Sequence, residues 1–93
     1  MRKNSILKFL ADRGVIISRQ RAWIIGAICR SPVIPDVEQF WINLRRSKQV
    51  SWATTHSTFR VLNEMGIVEK FRHDRRNSGY KLNKMFYDQR DKR

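Results

Sequence analysis

A mainly α-helical fold closed by a small β-hairpin is the class this sequence predicts. Three observations carry it. Four stretches place apolar residues at helical spacing, the later three opened by Ser18, by Pro35-Asp36 and by Ser51. A single glycine, Gly66, stands where the last of them should stop. Beyond it, two short β-prone runs flank a turn rich in arginine, asparagine and glycine. The 93 residues suffice for one domain with a modest core.

Each element follows from local chemistry. Asn4-Ser5 can cap a first helix over about residues 5–13, with Ile6, Leu7, Leu10 and Ala11 on one face and Gly14 at its end. Val15-Ile16-Ile17 is a short extended link. Ser18 caps a second helix, 19–30, whose apolar face is Ile24, Ile25, Ala27 and Ile28. Pro32 ends it, because a residue before proline is pushed out of the α region. The third helix, about 36–47, has the clearest period in the chain, with Val37, Phe40, Trp41 and Leu44 at i, i+3, i+4 and i+7. Lys48-Gln49 form a turn. Ser51 then caps a fourth helix, about 52–65, with Thr55, Phe59, Leu62 and Met65 inward. Gly66 sits at C′, followed by Ile67 for the hydrophobic contact of a helix stop. Residues 67–71 and 80–82 read as strands, and Asn77-Ser78-Gly79 as turn chemistry between them. The domain is expected to span 1–84. Residues 85–93 form a polar basic tail that frays, Met85-Phe86-Tyr87 being the residues able to pack back.

Charge and composition bound the function. The net charge is +12, and the basic excess lies in residues 1–30 and 70–93 while the middle is balanced. Such an excess on a small domain favours a polyanionic partner, above all nucleic acid. No apolar run approaches the ~20 residues of a membrane span, and the charged start breaks up too soon for a signal peptide. A cytoplasmic protein without a membrane is expected. The lone Cys29 excludes an internal disulfide and reads as a small core residue. His56 and His73, with one cysteine, give no zinc spacing. No catalytic triad or glycine-rich phosphate loop is recognisable. The expectation is therefore neither an enzyme nor a metal or cofactor protein.

The element order, with the third and fourth helices joined by a few residues and a basic hairpin behind them, is that of a winged helix-turn-helix. In such a domain one α-helix enters the major groove and its N-terminal, solvent-facing residues reach base edges. The hairpin lays cations on phosphates or in the minor groove. The outward positions of the fourth helix are Trp52, Ala53, Thr54, His56, Ser57 and Arg60. They are small, polar or aromatic, and only one is charged. The expected contacts to double-stranded DNA are these: Arg19, Arg21 and Ser51 on phosphates; Thr54, His56, Ser57 and Arg60 on base edges; Arg72, Arg75 and Arg76 in the wing. Trp52 and Ala53 open the helix, and Trp52 either touches the backbone or covers the third helix.

Several stretches carry a family resemblance. They are Arg19-Gln20-Arg21 followed by Ile24; Phe40-Trp41 to Leu44-Arg45; and Val50-Ser51-Trp52-Ala53-Thr54 through Leu62-Asn63-Glu64-Met65-Gly66-Ile67-Val68. They resemble the N-terminal DNA-binding domain of the ferric uptake regulator family, over roughly residues 15–82. The resemblance implies a winged helix and a role in transcription regulation. Two departures qualify it. The family's valine-tyrosine-arginine after alanine-threonine, whose tyrosine and arginine contact DNA, is replaced by Thr55, His56 and Ser57. Its metal-binding dimerisation domain has no counterpart before Arg93, so metal sensing is not expected. A homodimer would need a surface the sequence does not identify. Two other uses of the fold stay open: a protein–protein interaction module, with Trp52, Phe86 and Tyr87 as an aromatic patch, and an RNA-binding domain.

Overall fold

The computed structural model describes residues 2–73 and 78–87. In chain order these form α1 (Arg2–Asp12), α2 (Arg19–Arg30), β1 (Val33–Ile34), α3 (Val37–Leu44), α4 (Trp52–Glu64), β2 (Val68–His73), β3 (Ser78–Leu82) and α5 (Lys84–Tyr87). The four expected helices and the two-stranded wing are present, and the class is a mainly helical winged helix.

The caps explain where the helices start. The Ser18 hydroxyl accepts from the Arg21 N–H at 3.2 Å, and the Asp36 carboxylate accepts from the Glu38 N–H at 3.0 Å. The Ser51 hydroxyl accepts from the Thr54 N–H at 3.0 Å. Each satisfies one of the amide donors that a first helical turn leaves open. The stops at Gly14 and Gly66 are built alike. Gly66 has φ of 77°. Its N–H donates to the Asn63 carbonyl at 3.1 Å, and that of Ile67 to the Leu62 carbonyl at 2.9 Å. This paired pattern is the Schellman stop, and it needs a left-handed residue at C′.

A Cβ added at Gly66 would meet nothing within 4 Å, so the cost of a side chain there is conformational alone. Gly66→Ala is expected to lower stability by about 1–2 kcal/mol, measured by urea unfolding. An unchanged midpoint would mean that this stop does not set the α4 exit.

Four departures from the sequence expectation concern structure. First, the sheet has three strands, in the order β1-β3-β2. β1 pairs antiparallel with β3 through Val33↔Lys81 and Ile34↔Tyr80. Two residues between Pro32 and Pro35 are too few to show alternation, yet proline tolerates such an edge position. Second, α3 stops at Leu44, and Arg45–Ser47 turn away instead of completing the helix. Third, of the segment expected to fray, the stretch named as able to pack back does so, at Phe86. Phe86 is buried and meets Phe9 of α1 edge-on, ring centroids 5.9 Å apart. Fourth, Ala11, expected inward, is exposed.

One core joins all the layers: Ile6 and Leu10 of α1, Ile24, Ile25, Ile28 and Cys29 of α2, Val37 and Leu44 of α3, Phe59 and Leu62 of α4, and Val68, Tyr80 and Leu82 of the wing. Phe59 lies at its centre. It meets Phe40 edge-on at 5.2 Å and Tyr80 at 5.0 Å. Burial raises the Tyr80 phenol above its ordinary value. α4 is thereby anchored by its inner face, and its outer face is left to solvent.

Candidate nucleic-acid interface

The fourth helix has its two faces separated by residue chemistry. Thr55 and Thr58 are buried, and each hydroxyl donates to the carbonyl four residues back, on Ser51 at 2.9 Å and on Thr54 at 2.7 Å. Threonine can thus line the inside without an orphaned hydroxyl. Trp52, Ala53, His56 and Arg60 are exposed, and Thr54 and Ser57 are half-buried. From Trp52 to Asn63 the helix carries no carboxylate, so nothing on this stretch repels a phosphate.

α2 braces this helix on one side. An N-cap serine commonly leaves its own N–H to a glutamate or glutamine at N3, the capping box. Here N3 is Thr54, whose hydroxyl instead accepts from the Ser51 hydroxyl at 2.9 Å. The missing acceptor comes from α2: Gln20 Oε1 accepts the Ser51 N–H at 3.0 Å. Next to it the Arg21 guanidinium donates to Ser57 Oγ at 3.0 Å and to the Ile16 carbonyl at 3.1 Å. Arg21 and Ser57, both expected at DNA, therefore hold α2 and α4 together. A guanidinium has five donors, so this geometry leaves Arg21 donors for a phosphate. Gln20 was not an expected site residue, because a contact spanning 31 positions leaves no local pattern. Gln20→Ala should cost about 1 kcal/mol of stability and weaken any duplex binding, whereas Gln20→Glu keeps the acceptor and the stability. Urea unfolding of both variants checks this, and equal loss in both would contradict the capping role.

α4 also meets α3 and β2. Trp52 leans edge-on against Trp41, centroids 5.5 Å apart, and is tilted over His56 at 5.8 Å. Trp52 thus covers the third helix while remaining 41% exposed. A cleft of about 150 Å³ has Glu38, Trp52, His56 and Ser78 among its walls. Phe86 is buried, so an exposed aromatic patch cannot draw on it.

Arg19 is exposed at the first position of α2. The Arg72 backbone pairs with Gly79 at the end of the wing, past an irregularity between Lys70 and Arg72. The Arg72 side chain, Arg75, Arg76 and His73's side chain lie outside the described residues. Among the described residues the one ion pair is Lys8–Asp12, at 3.3 Å on the surface of α1. No cation around α4 forms an ion pair with a described carboxylate. No group of three or more histidine, cysteine or acidic residues that could hold a metal is found among the described residues. No helix there is long and apolar enough to cross a membrane.

This arrangement has clear counterparts among solved structures. A peroxide-sensing gene regulator, PerR from Streptococcus pyogenes, superposes with a TM-score of 0.73 at 21% identity, covering 86% of this chain and 56% of that one. A manganese uptake regulator gives 0.68 at 23% identity, covering 80% and 55%, and a zinc-bound form gives 0.68 at 22%, covering 82% and 58%. These are regulators of the ferric uptake regulator family. The chain has their winged-helix fold. It spans little more than half the length of those structures. The sequence matches no family model and no curated protein.

Within this winged helix, the resemblance first seen in the Ala53-Thr54 to Gly66 segment falls on α4 from its first turn to its stop. Ser51, two residues before that segment, and Gly66, at its end, have the cap and stop roles that their chemistry implied. Thr55, one of the three residues departing from the family pattern, is buried. The other two reach the surface, His56 exposed and Ser57 half-buried.

Proposed function

We propose that this domain binds double-stranded DNA as a transcription regulator. α4 enters the major groove, and the wing follows the backbone or the minor groove. The observation that carries this reading is the outer face of α4: exposed, free of carboxylates from Trp52 to Asn63, and locked against α2 by Gln20–Ser51 and Arg21–Ser57. A helix held so firmly and left uncovered suits docking in a groove, where a displacement of the reading helix would misplace every base contact. Arg19, Arg21 and Ser51 lie at its α2 side and anchor phosphates. Thr54, His56 and Arg60 face base edges, with Ser57 between them. Arg72, Arg75 and Arg76 supply the wing contact. The names of the structural neighbours, gene and uptake regulators, support the same reading. Two copies would double the short site that one domain can read.

Titrating a duplex at increasing salt tests the proposal. Each phosphate contact contributes about −0.9 to the slope of log affinity against log salt. Arg75→Ala should flatten the slope by about one contact and weaken all sequences alike. Affinity that hardly changes from low to moderate salt would refute the duplex reading. A clear preference for duplex RNA in direct competition would replace it with RNA binding.

A further inference from the structure

The turn between α3 and α4 carries three cations, Arg45, Arg46 and Lys48, in four residues, and all three are exposed. Two are seated on scaffold rings. The Arg45 guanidinium lies 4.6 Å from the Trp41 ring centroid, and the Lys48 ammonium 5.1 Å from that of Trp23. Seating limits how far each charge wanders, so less freedom is lost when an anion arrives. The end of the turn is pinned as well. The Trp41 indole N–H donates to the Val50 carbonyl at 3.0 Å, directly before the capped start of α4.

These contacts tie the turn to the reading helix. Arg45 sits on Trp41, Trp41 meets Trp52, and Trp52 meets His56. Lys48 sits on Trp23 of α2, the helix whose first turn holds Ser51. The cations therefore stand beside the opening of α4, Arg45 against α3 and Lys48 against α2. No described carboxylate pairs with them.

We propose that this turn is a second phosphate-binding element, gripping the DNA backbone beyond the base pairs that α4 reads. The inference rests on the duplex-binding reading above. It adds Arg45, Arg46 and Lys48 to the backbone grip that the wing supplies. The ligand is the phosphodiester of the flanking duplex, so the contribution is independent of sequence.

The test is the salt dependence of duplex binding for the triple variant Arg45→Ala/Arg46→Ala/Lys48→Ala. Between 50 and 200 mM salt, each lost contact should reduce the fall in affinity by about 3.5-fold. All duplexes should be affected alike. Methylphosphonate linkages, which remove the charge of single phosphates just outside the read base pairs, should weaken the wild type and leave the variant unchanged. Arg46→Ala provides the same measurement without touching a ring contact, should the triple variant melt early in circular dichroism. A wild-type slope in both variants, with Arg75→Ala still flattening it, would overturn the turn's role alone. No duplex binding by the wild-type chain would remove the reading beneath it.

Discussion

Phe59→Ala is expected to bring the domain to the edge of unfolding. Phe59 is 1% exposed and packs between Phe40 of α3 and Tyr80 of β3. It thus joins the helical layer to the wing. Truncating a buried phenylalanine costs about 3–5 kcal/mol, the lost transfer energy plus the cavity. A domain of this length has roughly 5–14 kcal/mol in total. The melting temperature should fall by at least ~12 °C, since each kcal/mol shifts a domain of this size by about 4–8 °C. Thermal unfolding followed by circular dichroism measures it. Phe59→Leu keeps most of the volume and should lose far less. A drop of only two or three degrees in Phe59→Ala would show that the wing and helices are joined elsewhere. Duplex binding should vanish only where the fold does, which separates this effect from changes on the outer face of α4.

What the sequence disclosed was whatever local chemistry decides. Ser18, Asp36, Ser51 and Gly66 announce helix ends because each acts on amides or carbonyls within a few residues. The inward placement of Thr55, Phe59 and Leu62 follows from helical period. The undisclosed parts depend on distant partners. β1 exists because β3 offers an edge to two residues with no alternation of their own. Gln20 reaches Ser51 from a different helix, and the register of α2 on α4 decides that reach. The same register explains Ser57. Its position is outward by period, yet Arg21 closes over it and leaves it half-buried. Lys48 and Arg45 look like ordinary turn cations until Trp23 and Trp41 arrive beneath them.

Exchanging His56 or Arg60 for alanine is expected to change which duplexes are preferred, by about 1–3 kcal/mol per lost base contact. Both side chains are exposed on the outer face of α4, one turn apart. A helix rises about 1.5 Å per residue, so the two positions are ~6 Å apart along its axis. Base pairs are stacked about 3.4 Å apart, which puts the two side chains over positions roughly two base pairs from each other. The His56 ring, held against Trp52, should recognise its base with little ordering cost. Arg60 lies deeper along the helix and uses its length, its fork matching the two acceptors of guanine. Selecting bound duplexes from a random pool, for the wild type and each variant, would locate the two positions. Each variant should relax preference at its own position and keep the other, and the double variant should combine the two losses. Variants that weaken every duplex equally would mean that neither residue reads sequence and that the outer face of α4 acts on backbone alone.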